Sequence, residues 1–206
     1  MLLEECLQRI LTDPTPEDLW RLQPVLRGHD SPAARRAQDA ARQFYCYLVN
    51  VRSKLTSKQH SVLGAVLAAT SIGVISARDL LDSAANDPEH LLQHMLAGGL
   101  AGSAEGLATL QHVRAWETEF VSVHEEALWE LYNLLWDLSA ERRPDQPVET
   151  RHALIEQLLA PARAPALDGL ARMAYLIRIF QIVLVLLAQP LLAPGRDVVA
   201  SEGETA

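Results

Sequence analysis

Apolar residues recur along this chain at the three- and four-residue spacing of helices. The spacing predicts a short first helix over residues 2–11, stopped by Asp13-Pro14-Thr15-Pro16. Thr15 can cap a second helix, Pro16 suits its first position, and Glu17 and Asp18 suit the positive end of its dipole. Gly28 is placed to end it. The same start signal returns at Asp30-Ser31-Pro32 and opens a longer helix to about Lys54, with Ala37, Ala41, Phe44, Tyr45, Leu48 and Val51 as its apolar or aromatic positions. Thr56 or Ser57 then caps a fourth helix.

That fourth segment, 61–77, carries no charge and is rich in Gly, Ala and Ser. A helix apolar on every side belongs in the centre of a bundle or in a membrane. A short helix over 80–85 and another opened by Asn86-Asp87-Pro88-Glu89 follow, with a bend at 98–102 where Gly98, Gly99 and Gly102 crowd together. The longest pattern runs over 104–138, roughly 50 Å at helical rise. Leu107, Leu110, Val113, Trp116, Phe120, Val123, Ala127, Leu131, Leu134 and Leu138 form its apolar stripe, opposite Glu117, Glu119, Glu125, Glu126 and Glu130. A polar loop over 141–147 leads to a helix over 148–159, and Pro161 and Pro165 bracket a turn. A last helix runs over 166–188, ended by Gln189-Pro190, and residues 195–206 read as a flexible polar tail. The expected fold is therefore all-α: a single-domain bundle over 1–194 of about eight or nine helices, with the apolar helices near 61–77 and 173–189 in its core.

Those two apolar segments also raise membrane insertion. The first is only weakly hydrophobic, and the second contains Arg178 and Gln181. A mid-helix Arg costs roughly 2.5–3.5 kcal/mol on the insertion scale. Beyond it, 179–189 is too short to span before Pro190. The expectation is a buried core helix with its charge near one end of the buried stretch, and membrane insertion through 61–77 and 173–189 is an alternative reading.

Composition adds little to this picture, and charge adds more. Hydrophobic residues make up 49% of the 206, which excludes disorder over most of the length. Two cysteines, Cys6 and Cys46, are too few for a disulfide scaffold and read as reduced, partly buried thiols, with a single bridge between them as the alternative. The first residues lack the basic start of a secretory signal, so the expected location is cytoplasmic. The net charge is −8, unevenly spread. Residues 31–60 hold Arg35, Arg36, Arg42, Arg52, Lys54 and Lys58 against Asp39 alone, whereas 61–130 is strongly acidic. With Asp39 between Arg35 and Arg42 on one face, the basic segment makes a poor phosphate footprint. Nucleic acid is disfavoured, and an acidic protein or the chain's own acidic helix is the better partner for these cations.

Catalytic and metal motifs fail on inspection. His124-Glu125-Glu126-Ala127-Leu128 has Leu where a zinc protease needs its second His, which leaves these as solvent-facing polar residues. Glu149-Thr150-Arg151-His152 is one carboxylate–histidine pair where a di-iron bundle needs two. Gly102-Ser103-Ala104-Glu105-Gly106 has the wrong spacing for a nucleophile elbow, and no phosphate loop is present. No cofactor, metal or catalytic residue is expected. An enzyme or metal site dispersed over His90, His94, His112, His124 and Glu117 is a further alternative.

Trp129, Tyr132 and Trp136 form an aromatic line at i, i+3 and i+7, beside the main apolar stripe of the long helix. Core packing is the plain explanation, but the line widens the apolar face in the way a partner-binding groove or dimer interface does. The expected function is that of a non-enzymatic protein-binding module (an adaptor, assembly or regulatory subunit). A protein partner or a second copy would bind through Trp129, Tyr132 and Trp136, with Arg35 and Arg42.

Overall fold

Two helix starts form where the sequence supplies a capping oxygen. Thr15 Oγ1 accepts from the Asp18 backbone N–H at 3.1 Å, and Ser31 Oγ accepts from that of Ala34 at 3.1 Å. Each cap is followed by a proline, whose missing N–H would have had no helical partner there. These caps open α2 (Pro16–Arg27) and α3 (Pro32–Arg52), preceded by α1 (Leu3–Thr12). The computed structural model describes residues 2–57, 60, 61, 63, 64, 67, 117–163 and 169–192. Its other helices are α4 (Glu117–Arg142), α5 (Val148–Arg163) and α6 (Gly169–Leu192). Among the described residues the architecture is all-helical, six helices without a strand. The segment at 57–67 is also helical at each described position.

Most of the expected 61–77 helix, the helices at 80–85 and after Asn86, the bend at 98–102, the first part of the 104–138 helix, Pro165 and the tail lie outside the described residues. Leu63 and Leu67 are described, and both are buried.

Helix α6 is the centre of the fold. It packs against α1, α3, α4 and α5, while α2 lies against α1 and α3. Every residue from Met173 to Ala188 is buried, as expected of a helix apolar on all sides. Phe180 stacks on Phe44 of α3, ring centroids 5.1 Å apart, and on Tyr47 at 5.5 Å. By length and composition 172–192 could cross a membrane, but most of it is enclosed by the other helices.

The structure corrects several readings. The buried aromatic after Phe44 is Tyr47, whereas Tyr45 is half-buried and packs against the exposed Trp20 of α2. In α4 Leu135 is buried and Leu134 only partly so, and the helix continues four residues past Leu138. Cys6 and Cys46 are unpaired, and Cys46 is exposed. Burial pushes the Cys6 thiol pKa up.

Two helices also run through their expected stops. Helix α5 passes Pro161, because Leu159 and Ala162 bury against the core, and the Tyr175 hydroxyl of α6 donates to the Leu158 carbonyl at 2.6 Å. Helix α6 passes Pro190. A proline at 190 leaves the Leu186 carbonyl without its helical donor. Arg142, at the end of α4, donates to that carbonyl at 3.1 Å and to Gln189 Oε1 at 2.7 Å.

Candidate functional site

Among the described residues, polar and aromatic side chains concentrate in three places, two buried and one exposed. The first is a pair in the core. His124 faces inward from α4 and is 2% exposed, which corrects the expectation that it meets solvent. The next stripe positions, Val123 and Ala127, are buried beside it, so the buried arc of α4 is wider than its apolar residues indicate. His124 Nδ1 lies 3.2 Å from the Tyr47 hydroxyl, and its ring stacks near Phe120. Burial, helped by the cations Arg172 and Lys54, pushes the His124 pKa down to about 4, so the ring is neutral at neutral pH. Burial likewise raises the Tyr47 pKa, so its hydroxyl stays protonated. His124 Nε2 is buried without a hydrogen-bond partner among the described residues.

The second place is Arg178 with Gln181 on α6. Arg178 lies inside the buried stretch and is 5% exposed, not near one end of it. Its Nη1 donates to Gln181 Oε1 at 2.7 Å and to the Leu11 carbonyl at 3.4 Å, and its Nη2 donates to the Leu67 carbonyl. Gln181 Nε2 donates to the carbonyls of Ile10 at 2.7 Å and Leu11 at 3.3 Å. The last carbonyls of α1 have no helical donors and form the negative end of its dipole. The two side chains therefore cap α1 from within the core. Burial lowers the Arg178 pKa to about 10, opposed by the charge of Asp13, and the side chain stays cationic. Both arrangements are buried and join helices to one another.

The third place is the outer face of α4. Trp129 is 66% exposed. Its ring stacks with Tyr132 at 6.5 Å and an interplanar angle of 13°, and Tyr132 stacks with Trp136 at 6.2 Å and 12°. Helix α5 braces this line from one side. The Tyr132 hydroxyl is 2.7 Å from His152 Nδ1, and the Arg151 guanidinium lies over the Trp136 ring at 4.8 Å. Tyr132 and Trp136 reach the core on their inner edges, while Trp129 projects from it.

The five expected partner-binding residues thus fall into two groups. Trp129, Tyr132 and Trp136 come together. Arg35 and Arg42 sit exposed on α3 and pair with nearby acids, Arg35 with Asp30 at 3.5 Å and Arg42 with Asp39 at 3.4 Å. Arg52 pairs with Asp13 at 3.3 Å. Of these arginines only Arg36 reaches the acidic long helix, pairing with Glu141 at 2.6 Å. That pair edges a small cleft of about 190 Å³ with Leu138, Leu186 and Pro190 in its lining. The volume is below the usual range for organic ligands.

No group of three or more His, Cys, Asp or Glu gathers for a metal among the described residues. His90, His94 and His112 of the dispersed set lie outside them, and His124 is held by Tyr47. Comparison with protein-family models, curated proteins and solved structures finds no match to this chain.

Proposed function

We propose that this protein acts by binding another protein through the outer face of α4, as an adaptor, assembly or regulatory subunit. One observation carries the reading: Trp129 stands 66% exposed at the end of an ordered three-ring stack. Leaving an indole in water forgoes the favourable transfer of its apolar surface. An exposed aromatic cluster on a folded surface is a common mark of an interaction site, and Trp, Tyr and Arg are the residues that most often dominate binding energy. The bracing by Arg151 and His152 fixes the rings before a partner arrives, so little side-chain freedom is lost on binding.

The test is quantitative affinity capture from the native host with wild type and with Trp129→Ala/Trp136→Ala, both shown to be folded by circular dichroism. Proteins retained by wild type and lost by the variant are the expected result. An identical retained set with both proteins would reduce the aromatic line to a structural feature. Membrane insertion through α6 is disfavoured, because it would break the bonds that Arg178 and Gln181 make to α1.

A further inference from the structure

The aromatic line has a charged margin that indicates what it receives. Glu126, Glu130 and Asp137 follow one another on α4 at i, i+4 and i+11, one helical step round from Trp129 and Trp136. Helix α5 occupies the other side of the line, through Tyr132–His152 and Trp136–Arg151, so this ridge borders the open side. Glu125 adds a further acid one turn before Trp129. Glu125, Glu126 and Asp137 are exposed, Glu130 is half-buried, and none of the four forms an ion pair among the described residues. The other described acids divide: Asp13, Asp30, Asp39, Glu141 and Glu156 have arginine partners, whereas Glu4, Glu5 and Glu17 on α1 and α2 have none among the described residues. What sets this ridge apart is its position beside the stacked rings of Trp129, Tyr132 and Trp136.

Building on the proposed function, we infer that the partner presents a basic amphipathic segment. Its apolar side chains cover Trp129, Tyr132 and Trp136, and its Lys or Arg side chains meet the ridge of Glu126, Glu130 and Asp137. A cation can also stack on the open Trp129 ring. Carboxylates beside an aromatic strip draw in a cationic partner and repel an anionic one, so they set specificity and encounter rate. The same ridge and the net charge of −8 oppose nucleic acid and a second copy of this chain.

The experiment uses the full chain and two labelled 18-residue peptides, one a Lys/Leu amphipathic helix and the other its Glu/Leu counterpart, read by fluorescence anisotropy. Wild type is expected to bind the Lys/Leu peptide and not the Glu/Leu peptide. Trp129→Ala/Trp136→Ala and Glu126→Gln/Glu130→Gln/Asp137→Asn should each weaken binding about tenfold. Neutralising three exposed acids elsewhere, Glu4→Gln/Glu5→Gln/Glu17→Gln, changes the net charge equally and should weaken it far less. Equal losses in the two charge variants, unchanged binding by the ridge variant, or equal binding of both peptides would each overturn the inference. A dimer in light scattering that Trp129→Ala/Trp136→Ala dissociates would assign the face to a second copy and overturn it too. The proposed function fails separately, if native-host capture is unchanged by the two Trp substitutions. Capture lost with those substitutions and kept by the ridge variant leaves the binding face standing and removes the basic partner.

Discussion

Arg178 is a buried cation whose hydrogen-bond partners among the described residues are carbonyl oxygens and an amide. Its worth lies in the acceptors it satisfies. Arg178→Met should therefore destabilise the fold by about 2–4 kcal/mol, because the Leu11 and Leu67 carbonyls lose a buried donor. Urea denaturation measures the loss. Arg178→Lys should restore only part of it, since an ammonium cannot reproduce the planar fork. His124 makes a pH prediction. Its folded pKa of about 4 lies below its ordinary value of 6.5, so the unfolded chain binds the proton more tightly. The stability this contributes is fully present above about pH 6.5 and is lost as pH falls towards 4, on the order of 3 kcal/mol in all. His124→Phe should flatten unfolding free energy against pH in that window. An unchanged slope would mean that another group sets it.

The prolines decide matters at the scale of the element. Pro190 should end α6, and the helix continues because Arg142 replaces the donor that Pro190 lacks. Arg142→Met should cost about 1–2 kcal/mol in the native background. In a Pro190→Ala background the backbone N–H returns to Leu186, and the same substitution should cost clearly less. A double-mutant cycle by chemical denaturation reads this coupling, and strict additivity would refute the account. In α4 the predicted apolar stripe held at Phe120, Val123, Ala127, Leu131 and Leu138. It missed His124, Leu128 and Leu135, because α3, α5 and α6 all pack on this helix and together cover a wider arc than the apolar spacing marks.

For the whole molecule, the arrangement round α6 predicts where the fold is most resistant to opening. Amides over 173–188 should exchange hydrogen slowest, while the outer α2 exchanges sooner. Peptide-resolved hydrogen exchange by mass spectrometry checks the order. Faster exchange in α6 than in α2 would contradict its role as the central strut. The charge asymmetry also takes a definite form at this scale. The basic segment 31–60 meets the acidic helix by an ion pair at Arg36–Glu141, and its other arginines pair with acids on α3 or in the turns beside it. Glu125, Glu126, Glu130 and Asp137 of α4, beside the aromatic line, have no ion-pair partner among the described residues.

The sequence by itself determined what is local. The all-helical class, the starts at Thr15 and Ser31, and the burial of the apolar 173–188 follow from capping oxygens, helical spacing and the transfer of apolar side chains from water. The line of Trp129, Tyr132 and Trp136 was legible for the same reason, since i, i+3 and i+7 share a face in any helix. Only the tertiary structure decided what depends on residues far apart in the chain. It put His124 against Tyr47, gave Arg178 the end of α1 to cap, and carried α6 past Pro190 with Arg142. Each of these outcomes turns on which polar group finds a partner once water is excluded, and that partner comes from a different helix.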